Sequence, residues 1–302
     1  MVLKKKPVWI DTDIGIDDAI AILAAMKLEE LDIIGFSAVA GNTVLENTYR
    51  NARNVPYLCG KEYEVYKGAD KPLVLDLRTS AKVHGNNGLG GVIVEDSPLT
   101  HTDKLAWDAL YEACKEYGDK LKVVAIGPLT NIAITIEKHP DFINFCKEVY
   151  VMGGGIEKGN ISPFAEFNFF CDPHAAKVVF DSGIKVHLFP LNVTHQVYIT
   201  EEEFEKIEKM GNMATDLIVK MLKAVYTGRL NAFHQHDSCP LIYLVHPEYF
   251  DNKECHIEME VDDKERIGES RLCEEGSINT VLHMNVDRDR FMETVIDCYS
   301  KY

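Results

Sequence analysis

With 302 residues, 46% of them hydrophobic and 26% charged, the chain has the make-up of an ordinary globular protein able to bury a core of its own. Its 48 acidic residues against 32 basic ones leave a formal net charge of -16. That balance speaks against a nucleic-acid partner, which would need Lys and Arg against phosphate, and against a basic pocket for phosphorylated substrates, although acidity also serves solubility. The 8 cysteines are scattered, without C-x-x-C, so free thiols in a reducing, cytoplasmic setting are expected and a zinc site is not. The start, Met1 to Lys6, is basic, but no apolar stretch has the length of a signal peptide or membrane span, and no membrane partner is expected.

Strand and helix patterns alternate along most of the chain. Val8 to Ile10 reads as a strand and Asp17 to Leu28 as a helix. Ile33 to Val39 is a strand, and Ala40-Gly41-Asn42 turns into a helix from Leu45 to Cys59. A short strand at Val65 to Lys67 precedes a long loop, Gly68 to Asp103. Leu121 to Ile126 is a strand broken by Gly127-Pro128, followed by a helix from Thr130 to Glu137. Glu148 to Met152 and Lys185 to Phe189 are strands flanking a second long loop, Gly153 to Cys171, and a helix from Pro173 to Phe180. After Thr200 the pattern changes to helices at Glu201 to Lys209, Met213 to Tyr226 and Pro240 to Val245. Strands at Glu254 to Val261 and Ile278 to Met284 and a closing helix from Asp287 to Tyr299 complete the chain. This order predicts an α/β fold: one domain, 1–302, with an open, mostly parallel (mixed) sheet and helices on both faces.

The chemistry concentrates in Asp11-Thr12-Asp13-Ile14-Gly15-Ile16-Asp17-Asp18, where the first strand passes into the first helix at the carboxyl edge of the sheet. The helix dipole offers Asp17 and Asp18 at most about 2 kcal/mol, too little to offset several like charges packed together. Either the loop is solvated, with Asp17 capping the helix, or a hard cation with oxygen ligands, Ca²⁺ or Mg²⁺, neutralises it. An EF-hand does not fit, because Gly15 and Ile16 fall where Asp or Asn and then Gly are required. A phosphatase D-x-D-x-T/V motif fails at Gly15, which weakens a Mg²⁺ phosphatase.

Other strand ends face the same edge. Asn42 brings an amide beside the acids, unless it only caps a turn, and a carbonyl at Ile126 is exposed by the bend at Gly127-Pro128. The glycines after Met152 belong to no dinucleotide or P-loop motif. Asn160, Glu166 and Asn168 form a mostly neutral array suited to sugar hydroxyls. Glu166 and Asn168, two apart, point to one side if the segment is extended. His236-Asp237 sets a histidine beside a carboxylate at a helix entrance, as a general acid or as a plain cap; His234 adds no metal-ligand spacing.

Taken together, Asp11-Thr12-Asp13-Ile14-Gly15-Ile16-Asp17-Asp18-Ala19, Ala40-Gly41-Asn42, His84-Gly85, Gly127-Pro128-Leu129, Val151-Met152-Gly153-Gly154, Ala165-Glu166-Phe167-Asn168, Asp172-Pro173 and His236-Asp237 occur in the order seen in nucleoside hydrolases, and the chain resembles that inosine-uridine preferring family over nearly its whole length. The resemblance implies a Rossmann-like fold and Ca²⁺ held by Asp13, Asp18, the carbonyl of Ile126 and Asp237. Asp13 would take a proton from the attacking water. Asp17, Asn42, Asn160, Glu166 and Asn168 would grip a ribose, His84 would lie at the pocket rim, and His236 would protonate the departing base. It also implies a small ribonucleoside partner and a homodimer or homotetramer. Ile14 stands where the motif commonly has Pro. The segment Tyr226 to His236, expected to contact the base, aligns with neither purine- nor pyrimidine-preferring members, so base preference stays open. A calcium-dependent nucleoside-binding protein without turnover would share the pocket but not need His236.

Overall fold

A computed structural model describes residues 5–98, 102–226 and 232–302. Its strands are β1 (Lys6–Thr12), β2 (Leu31–Ala38), β3 (Val65–Lys67), β4 (Lys122–Ala125), β5 (Glu148–Met152), β6 (Lys185–Phe189), β7 (Tyr198–Ile199), β8 (Phe233–His234), β9 (Phe250–Met259), β10 (Ser270–Cys273) and β11 (Thr280–Val286). Nine of them form one sheet in the order β10-β9-β11-β6-β5-β4-β1-β2-β3; β7 and β8 make a separate antiparallel ribbon. From β3 through β11 the neighbours run parallel, and only β9 runs against the rest, pairing antiparallel with β11 on one side and β10 on the other. The mixed, mostly parallel sheet expected from the alternating pattern is therefore present.

Helices cover both faces, which is why the central strands are apolar on both sides. Side chains alternate along β1: Val8 and Ile10 enter the core under the helices Ile16–Ala25, Leu45–Leu58, Ser238–Val245 and Arg288–Ser300. Trp9 enters the opposite core, under Ala106–Tyr117, Thr130–Lys138 and Pro173–Asp181. Among the described residues no helix is long and apolar enough to cross a membrane.

Three expectations need correction. The stretch 104–120, left without an element by the sequence reading, holds the helix Ala106–Tyr117, whose buried face is built mainly of small residues, Ala106, Ala109, Ala113 and Cys114, around Leu110. The Glu166–Asn168 segment is not extended. Phe167–Cys171 is a short helix, because the Glu166 carboxylate accepts the otherwise unpaired N–H groups of Asn168 and Phe169 at its start. An edge strand, β10, extends the antiparallel end by pairing with β9. Residues 227–231 of the Tyr226 to His236 segment, and the first four residues of the basic start, lie outside the described residues.

Candidate active site

Parallel strands that end together bring their following loops together, and here β1, β2, β4 and β5 all deliver their carboxyl ends to one edge. Asp13 follows β1 and is completely buried. Its Oδ2 accepts from the backbone N–H of Asn42, on the loop after β2, at 2.6 Å, while its Oδ1 has no partner. Gly41 and Gly127 flank it so closely that a Cβ on Gly41 would collide with Oδ2 and one on Gly127 would stand 2.8 Å from Oδ1. Both glycines are thus needed for the neighbouring loops to approach that carboxylate.

The helix Ile16–Ala25 starts at Gly15, not at a side-chain cap, so Asp17 is free of capping duty. Asp18 turns back. It accepts from Thr12 Oγ1 (2.6 Å), the Gly15 N–H (2.8 Å) and Asn42 Nδ2 (3.0 Å). Asp237 arrives from the far end of the chain, at the entrance to the helix Ser238–Val245. It makes no capping hydrogen bond, and one oxygen from each of Asp17, Asp18 and Asp237 lies within 4.8 Å of the others. Asp13 lies outside that tight triad, close enough for its charge and theirs to oppose each other.

The electrostatic consequence is severe. Burial, then the neighbouring charge of Asp18, pushes the Asp13 carboxyl well above the usual range; burial, then Asp17, does the same to Asp237. Burial raises Asp17 to about 6, and burial with the charge of Asp17 raises Asp18 to about 6. Buried carboxylates in such a cluster hold their charge only beside a cation. The unpartnered oxygens of Asp13 and Asp17 and an oxygen-only donor set fit a hard divalent ion.

Above these acids is a cavity of about 280 Å³. Asp17, Asn42, His84, Ile126, Asn160, Glu166, Asn168, His236 and Asp237 all line it, whereas Asp13 and Asp18 are not on its wall and are fully buried. Asn168 Nδ2 donates to the carbonyls of Ile126 (3.0 Å) and Met152 (3.2 Å), so the Ile126 carbonyl already carries one hydrogen bond and keeps one lone pair. Asn160 Oδ1 accepts from the Phe167 N–H at 2.9 Å. Glu166, raised to about 7 by burial, accepts from three backbone N–H groups, those of Gly154, Asn168 and Phe169. His84 is buried rather than at an open rim. Its Nδ1 accepts from the Ile16 N–H at 3.1 Å, and burial lowers it to about 4. Across the cavity, His236 Nδ1 lies 2.7 Å from Thr194 Oγ1, and burial followed by His234 and His195 pushes the ring well below the ordinary histidine value.

The sequence reading missed Ser80, Val83, Ile161 and Phe167 on the cavity wall, and Thr194 behind His236, whereas Tyr226, Phe233 and His234 on the wall fall in the segment expected to contact the base. None of the missed residues carries a local signal: they lie in loops and short helices. A larger groove of about 920 Å³, lined by Lys27, Glu203, Arg288 and Lys301 among others, holds none of the predicted residues.

Known proteins similar to this chain identify its family. The profile of the family described as inosine-uridine preferring nucleoside hydrolase matches residues 8–293. A non-specific ribonucleoside hydrolase RihC of Escherichia coli (strain SMS-3-5 / SECEC) is 33% identical over 288 residues, covering 94% of this chain and 93% of that protein. Among solved structures, a plant nucleoside hydrolase, the PpNRh1 enzyme, superposes with a TM-score of 0.92 at 27% identity, covering 98% of this chain and 99% of its own. A purine-preferring ribonucleoside hydrolase from Gardnerella vaginalis superposes with a TM-score of 0.89 at 28% identity, covering 98% of each chain. The chain therefore belongs to the inosine-uridine preferring nucleoside hydrolase family and is a hydrolase of N-glycosyl bonds. The resemblance read from its motifs is borne out, and the fold is that of its relatives.

Proposed function

We propose that the protein hydrolyses the N-glycosidic bond of ribonucleosides to ribose and free base in a calcium-dependent reaction. The observation that carries this reading is the meeting, in one cavity, of buried carboxylates from both ends of the chain with the amides of Asn160 and Asn168. Asp13, Asp18, Asp237 and the Ile126 carbonyl would hold the ion, all of them hard oxygen donors. When bound, it would supply acidification and orientation of a water molecule.

The chain's own groups account for the rest. Asp13 Oδ1, buried and unpartnered, takes a proton from the attacking water as the water oxygen bonds to the anomeric carbon. Asp17, Asn42, Asn160, Glu166 and Asn168 hold the ribose hydroxyls and orient the sugar. As the bond to the base breaks, positive charge grows on the ring, and the anionic floor of the cavity stabilises it. His236, whose second ring nitrogen is left for the cavity, gives a proton to the departing nitrogen of the base. Burial weakens its hold on a proton, which makes the protonated ring a strong donor. His84 lines the pocket beside the acidic loop, its Nδ1 3.7 Å from Asp17 Oδ1.

A panel of ribonucleosides assayed for reducing sugar tests the reading. Wild-type protein is expected to release ribose from at least one of uridine, cytidine and inosine, and Asp13→Ala to abolish that release. Undiminished turnover by Asp13→Ala would defeat the assigned mechanism. Assembly as a homodimer or homotetramer and a salvage role rest on the family resemblance, and a cytoplasmic setting on the scattered cysteines; light scattering reads the first.

A further inference from the structure

We infer that Ser80 is a positioning residue for the ribose-gripping amide of Asn42, and this rests on the reading of Asn42 given above. Ser80 sits where the loop after β3 enters the short helix Ala81–His84. Its hydroxyl donates to Asn42 Oδ1 at 2.7 Å, and its backbone N–H donates to the Asn42 carbonyl at 3.2 Å. On its other side, Asn42 donates through Nδ2 to Asp18 Oδ2 at 3.0 Å and through its backbone N–H to Asp13 Oδ2 at 2.6 Å. One asparagine thus ties together the two buried acids, and one serine fixes which way its amide faces.

The chemistry follows from the donor and acceptor count. An asparagine amide has an acceptor oxygen and two N–H donors. The serine occupies the oxygen and Asp18 takes one N–H. What remains for the cavity, which both Asn42 and Ser80 line, is an N–H donor. A donor there fits a sugar hydroxyl that accepts from the amide while giving its own proton to a carboxylate such as Asp17. Turned over, the amide would set its oxygen against the Asp18 carboxylate and offer the sugar an acceptor in place of a donor. The space is tight enough to matter: a Cβ on Gly15 would stand 2.7 Å from Asn42 Nδ2. The same segment carries His84, which accepts from Ile16 N–H at 3.1 Å, so seating this loop on the acidic loop and orienting the amide are one event.

A double-mutant cycle tests this on the full-length protein with its cation present. Ser80→Ala is expected to lower kcat/KM for a ribonucleoside by about fivefold to tenfold, the usual yield of one lost hydrogen bond. Ser80→Thr, which keeps the hydroxyl, stays within about threefold. In an Asn42→Ala background, Ser80→Ala has less than about a twofold further effect, because the group it positions is gone. Equal losses in both backgrounds would mean that Ser80 acts only by seating the loop, and no loss in the wild-type background would mean that it does not act on Asn42; either overturns the inference. Ribose release by wild-type protein stands apart from these outcomes, so the inference can fail while the proposed function holds.

Discussion

Lowering the pH should strip the cation from the acid cluster, and the structure sets the scale. A carboxyl with an elevated proton affinity must lose its proton before it can ligate, so binding weakens as pH falls through that group's pKa. Asp18 ionises at about 6, while burial with the charge of Asp18 holds Asp13, and burial with the charge of Asp17 holds Asp237, well above the usual carboxylate range. A group ionising near 6 is about nine-tenths charged at pH 7 and one-tenth charged at pH 5, which weakens binding about tenfold. That tenfold loss, about 1.4 kcal/mol, comes from Asp18 alone, and Asp13 and Asp237, shifted in the same direction, deepen it. Calorimetric titration of the metal-free protein with calcium at pH 7 and pH 5, in two buffers of different ionisation enthalpy, reads both the affinity and the protons released. At least about tenfold weaker binding at pH 5, with protons released as the ion binds, is the expected result. Affinity that changes less than about threefold, with heats independent of buffer, would refute the reasoning, because the ion would then be binding ordinary exposed carboxylates.

Two further expectations follow from single side chains. His236→Ala should lower turnover of nucleosides by about 10²–10⁴-fold, and least for a riboside whose leaving group departs without a proton; equal losses across leaving groups would make His236 a positioning residue. Asp11 is buried behind the site, its Oδ1 accepting from Ser37 and Asn131 (2.7 Å from Asn131) and its Oδ2 unpartnered, and burial raises it to about 7. Between pH 4 and pH 7 the folded protein keeps a proton there that the unfolded chain has lost, so stability falls as pH rises through that window. Asp11→Asn removes this term and should be about 2–4 kcal/mol more stable than wild type at pH 8 and little different at pH 4, by urea denaturation in the presence of chelator. An unchanged difference between the two pH values would contradict it.

Much of this site was legible because its residues sit where local rules are strong. β5 and β6 fall on the predicted residues, since Val149-Tyr150-Val151 and Val186-His187-Leu188 are short apolar runs bounded by turns. Four aspartates between an apolar strand and an apolar helix announce a ligand edge, and that edge holds Asp13, Asp17 and Asp18. The rest depended on distant partners. The helix Ala106–Tyr117 was missed because alanines give a faint apolar stripe and Leu105 offers no side-chain cap. The helix Phe167–Cys171 lay hidden in the loop Gly153 to Cys171 because its cap is a glutamate, an uncommon choice there. Ser80 and Thr194 matter only through contacts 38 and 42 residues away in sequence, which no periodicity encodes.

The most direct test is to find the ion itself. Crystals of the protein soaked in calcium should show one cation beneath the cavity, ligated by Asp13, Asp18, Asp237 and the Ile126 carbonyl. No cation between these residues, with Asp237 directed away from Asp13 and Asp18, would contradict the account.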